Sequence, residues 1–183
     1  MNVVRLVKKA KRGNKEALLQ LIMLEQDVYF RLAMTYMGNT HDAMDVMDDM
    51  IVKVYEKIHQ LHSEEAFYSW SKTILVNSCK SLLHKQKRIV LVEDFQAIET
   101  IEIAESLTRT SDPYSNRDQH MDIQALLLHI SDHQKEAIQL KYLHDLNYQT
   151  IAAITQVSIG TVKSRVSEGL KKLRLFARGD EHE

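Results

Sequence analysis

The C-terminal part of the sequence carries side chains whose types and spacing suit recognition of a DNA duplex. Cationic, hydroxyl and carboxylate groups follow one another between residues 161 and 172: Thr161, Lys163, Ser164, Arg165, Ser167, Glu168, Lys171 and Lys172. A lysine can donate to guanine, a serine hydroxyl can contact several base edges, and a glutamate can accept from cytosine N4. Lys171 and Lys172 are better placed to hold phosphates. These types predict a face that contacts both bases and backbone.

The surrounding sequence predicts a helix-turn-helix that positions this face. Asn147 is expected to cap a short helix over 148–154, a turn follows at 155–157, and Ser158 caps a long last helix. At about 100° per residue, one face of the last helix is apolar and is expected in the core: Ile159, Val162, Val166, Leu170 and Leu173. In such a motif the first turns of the second helix enter the major groove. A helical hairpin with a solvated face remains an alternative for this segment.

A second group of residues, in the N-terminal half, has the types needed for the single-stranded DNA role that a family resemblance, described below, implies. It combines cations, aromatic rings and an amide: Lys53, Phe67, Tyr68, Asn77 and Lys80. A strand with one base turned out of the stack is held by such groups. Phe67 could equally be a core residue or stack on a base, and Trp70 is expected to be a core residue rather than a stacking platform.

Residues that cap or end helices occur before and after this group in the sequence. The opening helix is expected to end near Gly13, and Asn14 to cap the next helical run, which extends from Ala17 to Met37. Thr40 is then expected to cap a helix that buries its apolar residues up to Ile58. Ser63 is expected to cap a further helix that reaches Lys87.

Composition favours an all-α fold. The 183 residues are 44% apolar, with only 5 glycines and 1 proline, too few for the many tight turns of a β-sandwich. The net charge of −1 hides basic blocks at both ends of the chain and an acidic stretch over 93–122. We therefore predict two small helical domains, residues 1–90 and 118–183, the second with the helix-turn-helix, joined by an acidic linker over 91–117.

Other patterns bear on location and chemistry. A single cysteine, Cys79, fits a reducing cytoplasm and predicts a buried structural thiol. No apolar run of about 18 residues is present, so no membrane insertion is expected. The basic start differs from a secretory signal, although a transit-type helix is an alternative to a first helix of the fold. His59 and His62 have metal-ligand spacing, yet the sequence has no nucleotide-binding or hydrolase motif. We expect no cofactor and no enzyme.

Three segments of the sequence resemble sigma-70 family RNA polymerase sigma factors of the extracytoplasmic-function subgroup. The C-terminal one is ISDHQKEAIQLKYLHDLNYQTIAAITQVSIGTVKSRVSEGLKKLR, which resembles the promoter-binding domain of that family. The other two are DAMDVMDDMIVKVYEKI, similar to the helix that docks on the polymerase clamp, and EEAFYSWSKTILVNSCKSLLHKQKR, similar to the segment that reads the minus-ten element. The resemblance covers nearly the whole chain in the same order.

The resemblance implies a set of partners. Core RNA polymerase would be contacted at its beta-prime clamp and beta flap, with Asp45, Val46, Asp49 and Met50 on the clamp. The first domain would bind the minus-ten strand, with the loop from Gln60 to Glu65 forming a base pocket, and the second domain would bind the minus-thirty-five duplex. An anti-sigma factor would hold the protein inactive.

Some positions depart from the family pattern. Gln156 stands where glycine is usual, Glu168 where many members have arginine, and WSKTIL lacks a tyrosine-arginine pair. These departures leave the preferred promoter sequence open. Three other functions stay open as alternatives: a stand-alone helix-turn-helix regulator, a helical adaptor that touches no DNA, and a metal-dependent enzyme using His59 and His62.

Overall fold

A computed structural model describes residues 2–96 and 126–177. The chain divides into two compact units, and these described ranges form one unit each. Within them the regular structure is entirely helical, which confirms the predicted fold class. The first unit contains α1 (Val3–Lys11), α2 (Lys15–Leu24), α3 (Gln26–Met37), α4 (Thr40–Lys57) and α5 (Phe67–Gln96). The second contains α6 (Asp132–Tyr142), α7 (Tyr148–Thr155) and α8 (Ile159–Ala177).

The first unit packs α3, α4 and α5 around large buried side chains. Tyr29, Met50, Phe67 and Leu75 are all 0% exposed. The hydroxyl of Tyr29 lies 2.7 Å from the hydroxyl of Ser71 on α5, so its polar end is satisfied inside the core. Burial raises the pKa of Tyr29 well above its ordinary value, which keeps this phenol protonated.

Several predicted helix ends are confirmed and others differ. Ser63 was expected to cap a helix, but it makes no capping hydrogen bond, because its hydroxyl donates to the Glu65 side chain instead. The single helix expected over 17–37 is broken at Glu25, which leaves helical geometry at φ −122° and ψ 22°. Its carboxylate pairs with Lys72 of α5 at 2.7 Å, an anchor that the local sequence could not reveal. The cap of α4 is Asn39 and not Thr40, because extended Asn39 accepts from the N–H of Asp42 at 2.9 Å.

The long helix α5 continues further than the apolar periodicity indicated. It reaches Gln96, so the first six residues of the linker predicted over 91–117 are helical. No glycine or proline interrupts this stretch. The remaining linker residues, 97–117, lie outside the described residues, as does Ile123, which was expected at the start of the second domain.

Local capping sets the helices of the second unit. Ser131 and Gln134 form the predicted capping box at the start of α6, with distances of 3.4 and 3.3 Å. Asn147 caps α7 by accepting from the N–H of Thr150 at 2.8 Å. The core between these helices includes Ile151 and Val162, both 0% exposed. Short-range hydrogen bonds and a small apolar core thus orient α7 against α8.

Cys79 provides a test of packing in the first unit. Its side chain is 0% exposed, and burial raises the pKa of the thiol to about 12. Because the thiolate is the nucleophile, alkylation by iodoacetamide at pH 8 should be more than about a hundredfold slower than in the unfolded chain. Since the folded pKa exceeds the unfolded one, stability should fall as pH rises from about 9 toward 12. Equal labelling rates in the native and denatured states would contradict this packing.

Candidate nucleic-acid interface

Most of the predicted duplex-binding residues lie on the outward side of α8, while Nζ of Lys172 reaches Oε1 of Gln134 on α6 at 3.5 Å. Val162 and Val166, at 0% and 3% exposure, face the core of the second unit. The other side of the helix is exposed at Lys163, Ser164, Ser167, Glu168, Lys171 and Lys172 and half-buried at Thr161 and Arg165. The structure therefore presents cations, hydroxyls and one carboxylate on the same helix surface.

The core face of α8 differs from the prediction at its two ends. Ile159 is 40% exposed and does not join the core, because it precedes the first full turn that packs on α7. Leu170 and Leu173 are only partly buried and pack against Leu127, Ile130 and Ile138. Gly169, which the periodicity argument passed over, is buried against α6.

The turn before α8 fixes the angle at which this helix leaves α7. Gln156 is left-handed at φ 54° and ψ 41°, the conformation that would account for a glycine at this position in related sequences. Ser158 then caps α8, accepting from the N–H of Thr161 at 3.0 Å. The predicted helix-turn-helix and its cap are both confirmed in geometry.

Tyr148 is a site residue that sequence reasoning missed. Its half-buried ring lies 5.8 Å from Nζ of Lys163 and 5.4 Å from Nζ of Lys141, both within reach of cation–π attraction. The ring therefore restrains Lys163 at the outward surface of α8. No pattern in the sequence pointed to it, because its contact with Lys163 depends on how α7 packs against α8.

Lys53 is held between α4 and α5. Its Nζ donates to Oδ2 of Asp49 at 2.5 Å and to Oγ of Ser78 at 2.9 Å. Asn77, next to Ser78, is exposed, and half-buried Lys80 follows one turn later on α5. The structure thus brings together three of the five residues predicted to bind single-stranded DNA.

The two aromatic residues of that group do not join them. Phe67 is 0% exposed and its ring packs 5.3 Å from Tyr68 and 6.3 Å from Trp70, so in this structure it is a core residue. The hydroxyl of Tyr68 donates to the carbonyl oxygen of Leu21 at 3.5 Å. Asn77 lies nine residues after Tyr68, which places the two on opposite sides of α5. Of the residues predicted to bind single-stranded DNA, only Lys53, Asn77 and Lys80 therefore remain close to one another.

The residues predicted to bind core polymerase separate into two sets. Asp45 and Asp49 are exposed, whereas Val46 and Met50 are 3% and 0% exposed in the core of the first unit. This corrects the surface role expected of Val46 and Met50, because helical periodicity turns both toward α3 and α5. Asp49 is also engaged by Lys53 and Ser78; although partial burial raises its pKa, these contacts produce a net lowering.

The first unit also has a groove with an exposed apolar surface, which the buried side chains of Val46 and Met50 do not provide. It has a volume of about 460 Å³ and lies among α2, α3 and α4. Its lining includes Leu19, Met23, Phe30, Met44, Met47 and Ile51, with Asp27 and Asp48 beside them. Met23 and Met44, at 61% and 57% exposure, both line this groove, so it presents a contiguous exposed apolar patch.

Neither of two other possible features is found in the described residues. Over 2–96 and 126–177, no three or more His, Cys, Asp or Glu side chains lie close enough to hold a metal ion. His59 and His62 are exposed near the end of α4. Within the same ranges, none of the helices combines the length and apolarity that a bilayer crossing needs.

The fold and these surfaces define a helical DNA-binding protein with a helix-turn-helix. Family models described as Sigma-70 region 2 and Sigma-70, region 4 match residues 21–89 and 120–173. The RNA polymerase sigma factor SigV of Bacillus subtilis is 31% identical, over 91% of this chain and 95% of its own. The sigma-E factor of Haemophilus influenzae is 30% identical, over 88% of this chain and 87% of its own.

Two solved structures share the fold. The sigma factor RpoE of Bartonella quintana, solved with the anti-sigma factor NepR, has a TM-score of 0.63 and 27% identity over 88% of this chain and 97% of its own. CnrH, solved with the cytosolic domain of CnrY, has a TM-score of 0.65 and 18% identity over 98% and 99%. The chain belongs to the sigma-70 family, in its extracytoplasmic-function group, and directs transcription initiation at promoters.

Proposed function

We propose that each unit of this sigma factor grips a different part of the promoter while core RNA polymerase holds the chain. The second unit binds the minus-thirty-five duplex through α8, and the first binds the minus-ten strand through Lys53, Asn77 and Lys80. The observation that carries the proposal is the exposed polar face of α8, which keeps its base-reading groups away from the core. Because that face mixes lysine, serine and glutamate, it suits base edges as well as phosphates.

The Lys53 cluster supports the assignment to the minus-ten strand. In the described structure the Asp49 carboxylate and the Ser78 hydroxyl hold Nζ of Lys53 in place. A DNA phosphate can approach the same ammonium, since Lys53 retains 35% side-chain exposure. Asp49 is then a residue that orients Lys53, and its contribution to polymerase binding is indirect.

We propose that the beta-prime clamp of core polymerase binds in the groove among α2, α3 and α4. Its exposed methionines and leucine offer an adaptable apolar surface, and Asp27 and Asp48 favour a partner with basic side chains. Asp45 lies on the same helix as Met44 and Asp48 and is exposed. We propose that the beta flap of core polymerase binds the second unit, where Tyr142 and Leu143 are 57% and 64% exposed.

The same surfaces are also where a regulatory protein would bind. RpoE and CnrH have each been solved with a protein partner, and NepR is named an anti-sigma factor. We propose that an anti-sigma factor likewise binds this chain and covers its polymerase- and DNA-binding faces. The protein acts in the cytoplasm, catalyses no reaction itself and leaves RNA synthesis to the polymerase.

Promoter-specific transcription by the purified chain with cognate core polymerase tests the proposal. Specific transcripts should appear from a genomic fragment library, and Lys163→Ala should reduce them at the preferred promoter by about tenfold, the effect of one lost base contact. Lys171→Ala should instead weaken binding alike across sequences and lower the salt slope by about 1, because it removes one phosphate contact.

Two outcomes would contradict this function. If no specific initiation occurs with cognate core enzyme, the chain does not work as a sigma factor under the proposed arrangement. If the free chain binds one duplex tightly and core polymerase adds nothing, the stand-alone regulator is favoured. A Lys163→Ala effect identical for all sequences would remove Lys163 from base recognition.

A further inference from the structure

A lysine from the first helix holds the connection between α4 and α5. Lys11, in the last turn of α1, donates from Nζ to the carbonyl oxygen of Leu61 at 2.8 Å and to Oε1 of Glu64 at 3.1 Å. Its two acceptors lie 50 and 53 residues further along the chain. Helix propensity and capping act over three or four residues, so this bridge is a product of tertiary packing.

The bridge joins the two ends of a short exposed segment. Leu61 follows a 3-10 turn, Ile58–Gln60, and Glu64 begins a second one, Glu64–Ala66, that leads into α5. The Leu61 side chain is 5% exposed, while His62 and Ser63 between the two acceptors are exposed. The Lys11 ammonium group therefore sets the distance between the Leu61 carbonyl and the Glu64 carboxylate, which stand on either side of His62 and Ser63.

The surroundings of the bridge favour a persistent contact. Lys11 and Glu64 keep only 25% and 23% side-chain exposure, so water screens the pair less than it screens a fully solvated one. The hydrogen bond from Lys11 lowers the pKa of Glu64, which keeps the acceptor ionised at neutral pH. Beside it, the Ser63 hydroxyl donates to Oε2 of Glu65 at 2.7 Å, so that carboxylate does not compete for Lys11.

We propose that Lys11 is a positioning residue that holds residues 61–64 in one conformation, so that exposed His62 and Ser63 meet an unstacked minus-ten base in a defined geometry. The inference rests on the proposed function and on the base pocket that the resemblance to sigma factors implies for the loop from Gln60 to Glu65. Hydrogen bonds weaken within a few tenths of an ångström of their best distance, so a mobile loop would distinguish bases poorly. Lys11 itself touches no DNA and acts through the backbone of Leu61 and the carboxylate of Glu64.

The test measures base discrimination with the intact holoenzyme. Promoters carrying each of the four bases at each non-template minus-ten position are transcribed with wild type, Lys11→Met, Lys11→Arg and Lys9→Met. Lys11→Met keeps the aliphatic stem but removes the donors, and should reduce the ratio of best to worst base by at least about fivefold at one position. Lys11→Arg should lose less discrimination than Lys11→Met, because it keeps a charged donor for the Leu61 carbonyl and the Glu64 carboxylate. Lys9→Met should stay within about twofold of wild type, since Lys9 is exposed on the same helix.

Amide hydrogen exchange on the same variants gives a second readout. In Lys11→Met the amides of residues 61–66 should exchange at least about fivefold faster, while those of α3 and α4 keep the wild-type rate. Unchanged discrimination in Lys11→Met, or an equal loss in Lys9→Met or Lys11→Arg, would overturn the role of Lys11 and leave the proposed function intact. A wild-type holoenzyme that shows no base preference at any minus-ten position would overturn both.

Discussion

Replacing Gly169 with leucine is expected to lower the unfolding free energy of the second unit by about 3 kcal/mol, as overpacked cores do. A Cβ at this position would lie 2.7 Å from Cδ1 of Ile138 and 3.2 Å from Cβ of Gln134, so even the Cβ forces Ile138 to shift, and the rest of a leucine has no room between α6 and α8. Leucine favours helix over glycine by less than about 1 kcal/mol, which does not offset the clash. A unit of this size has a stability of only about 3–8 kcal/mol, so much of it should be lost.

Hydrogen exchange of the full chain measures this effect by region. Amides of α6, α7 and α8 should lose protection, while those of the first unit keep theirs, because the two units have separate cores. Gly160→Leu is the matched control, since a Cβ there meets only Oγ of Ser158 at 3.7 Å. Equal loss of protection in both variants would show that side-chain size on α8, and not the close approach of α6, is responsible.

Met44→Glu is expected to weaken binding of the chain to core polymerase by about 30-fold or more, the size of a single interface hot spot. The side chain lines the apolar groove and is 57% exposed, so a charge there opposes docking without disturbing the core. Competition with labelled wild-type chain for limiting core enzyme measures the change. Circular dichroism should show the wild-type melting temperature.

Val52→Glu controls for the added charge. Val52 is 55% exposed on the same helix and is not part of the groove lining. Asp48 lies four residues from Met44 and four from Val52, and Val52 also has Asp49 and Glu56 within one turn, so the control carries at least as much like-charge repulsion. Val52→Glu should bind core within about threefold of wild type. Wild-type affinity in Met44→Glu, or an equal loss in both variants, would remove the groove from the polymerase interface.

Helix class and helix ends were largely readable from the sequence, because the forces that set them act over three or four residues. Asn14, Asn147 and Ser158 each accept from an N–H three residues ahead, as their positions predicted. The exposed face of α8 followed from periodicity in the same way, since Val162 and Val166 had to turn inward. Gln156 stands where glycine is usual in related sequences, and the structure gives the reason, a left-handed backbone at this residue.

Periodicity indicates which face of a helix is apolar, but it does not indicate what covers that face. Periodicity turned Val46 and Met50 inward, and the surface role that the resemblance implied for them is wrong, because α3 and α5 cover them completely or nearly so. Met44 lies on the same helix and remains uncovered, which creates the groove. Phe67 could have served either the core or the DNA until the packing of α5 placed it in the core.

The sequence by itself determined an all-helical chain, a capped helix-turn-helix and the cationic side of its last helix, all of which depend on neighbours within about one helical turn. Only the tertiary structure decided the contacts between distant residues. Lys53 meets Ser78, 25 positions away, and Lys11 meets Leu61, 50 positions away. The physical reason is that a long cationic side chain can reach many acceptors, and only the packing of whole helices decides which of them lies within hydrogen-bonding distance.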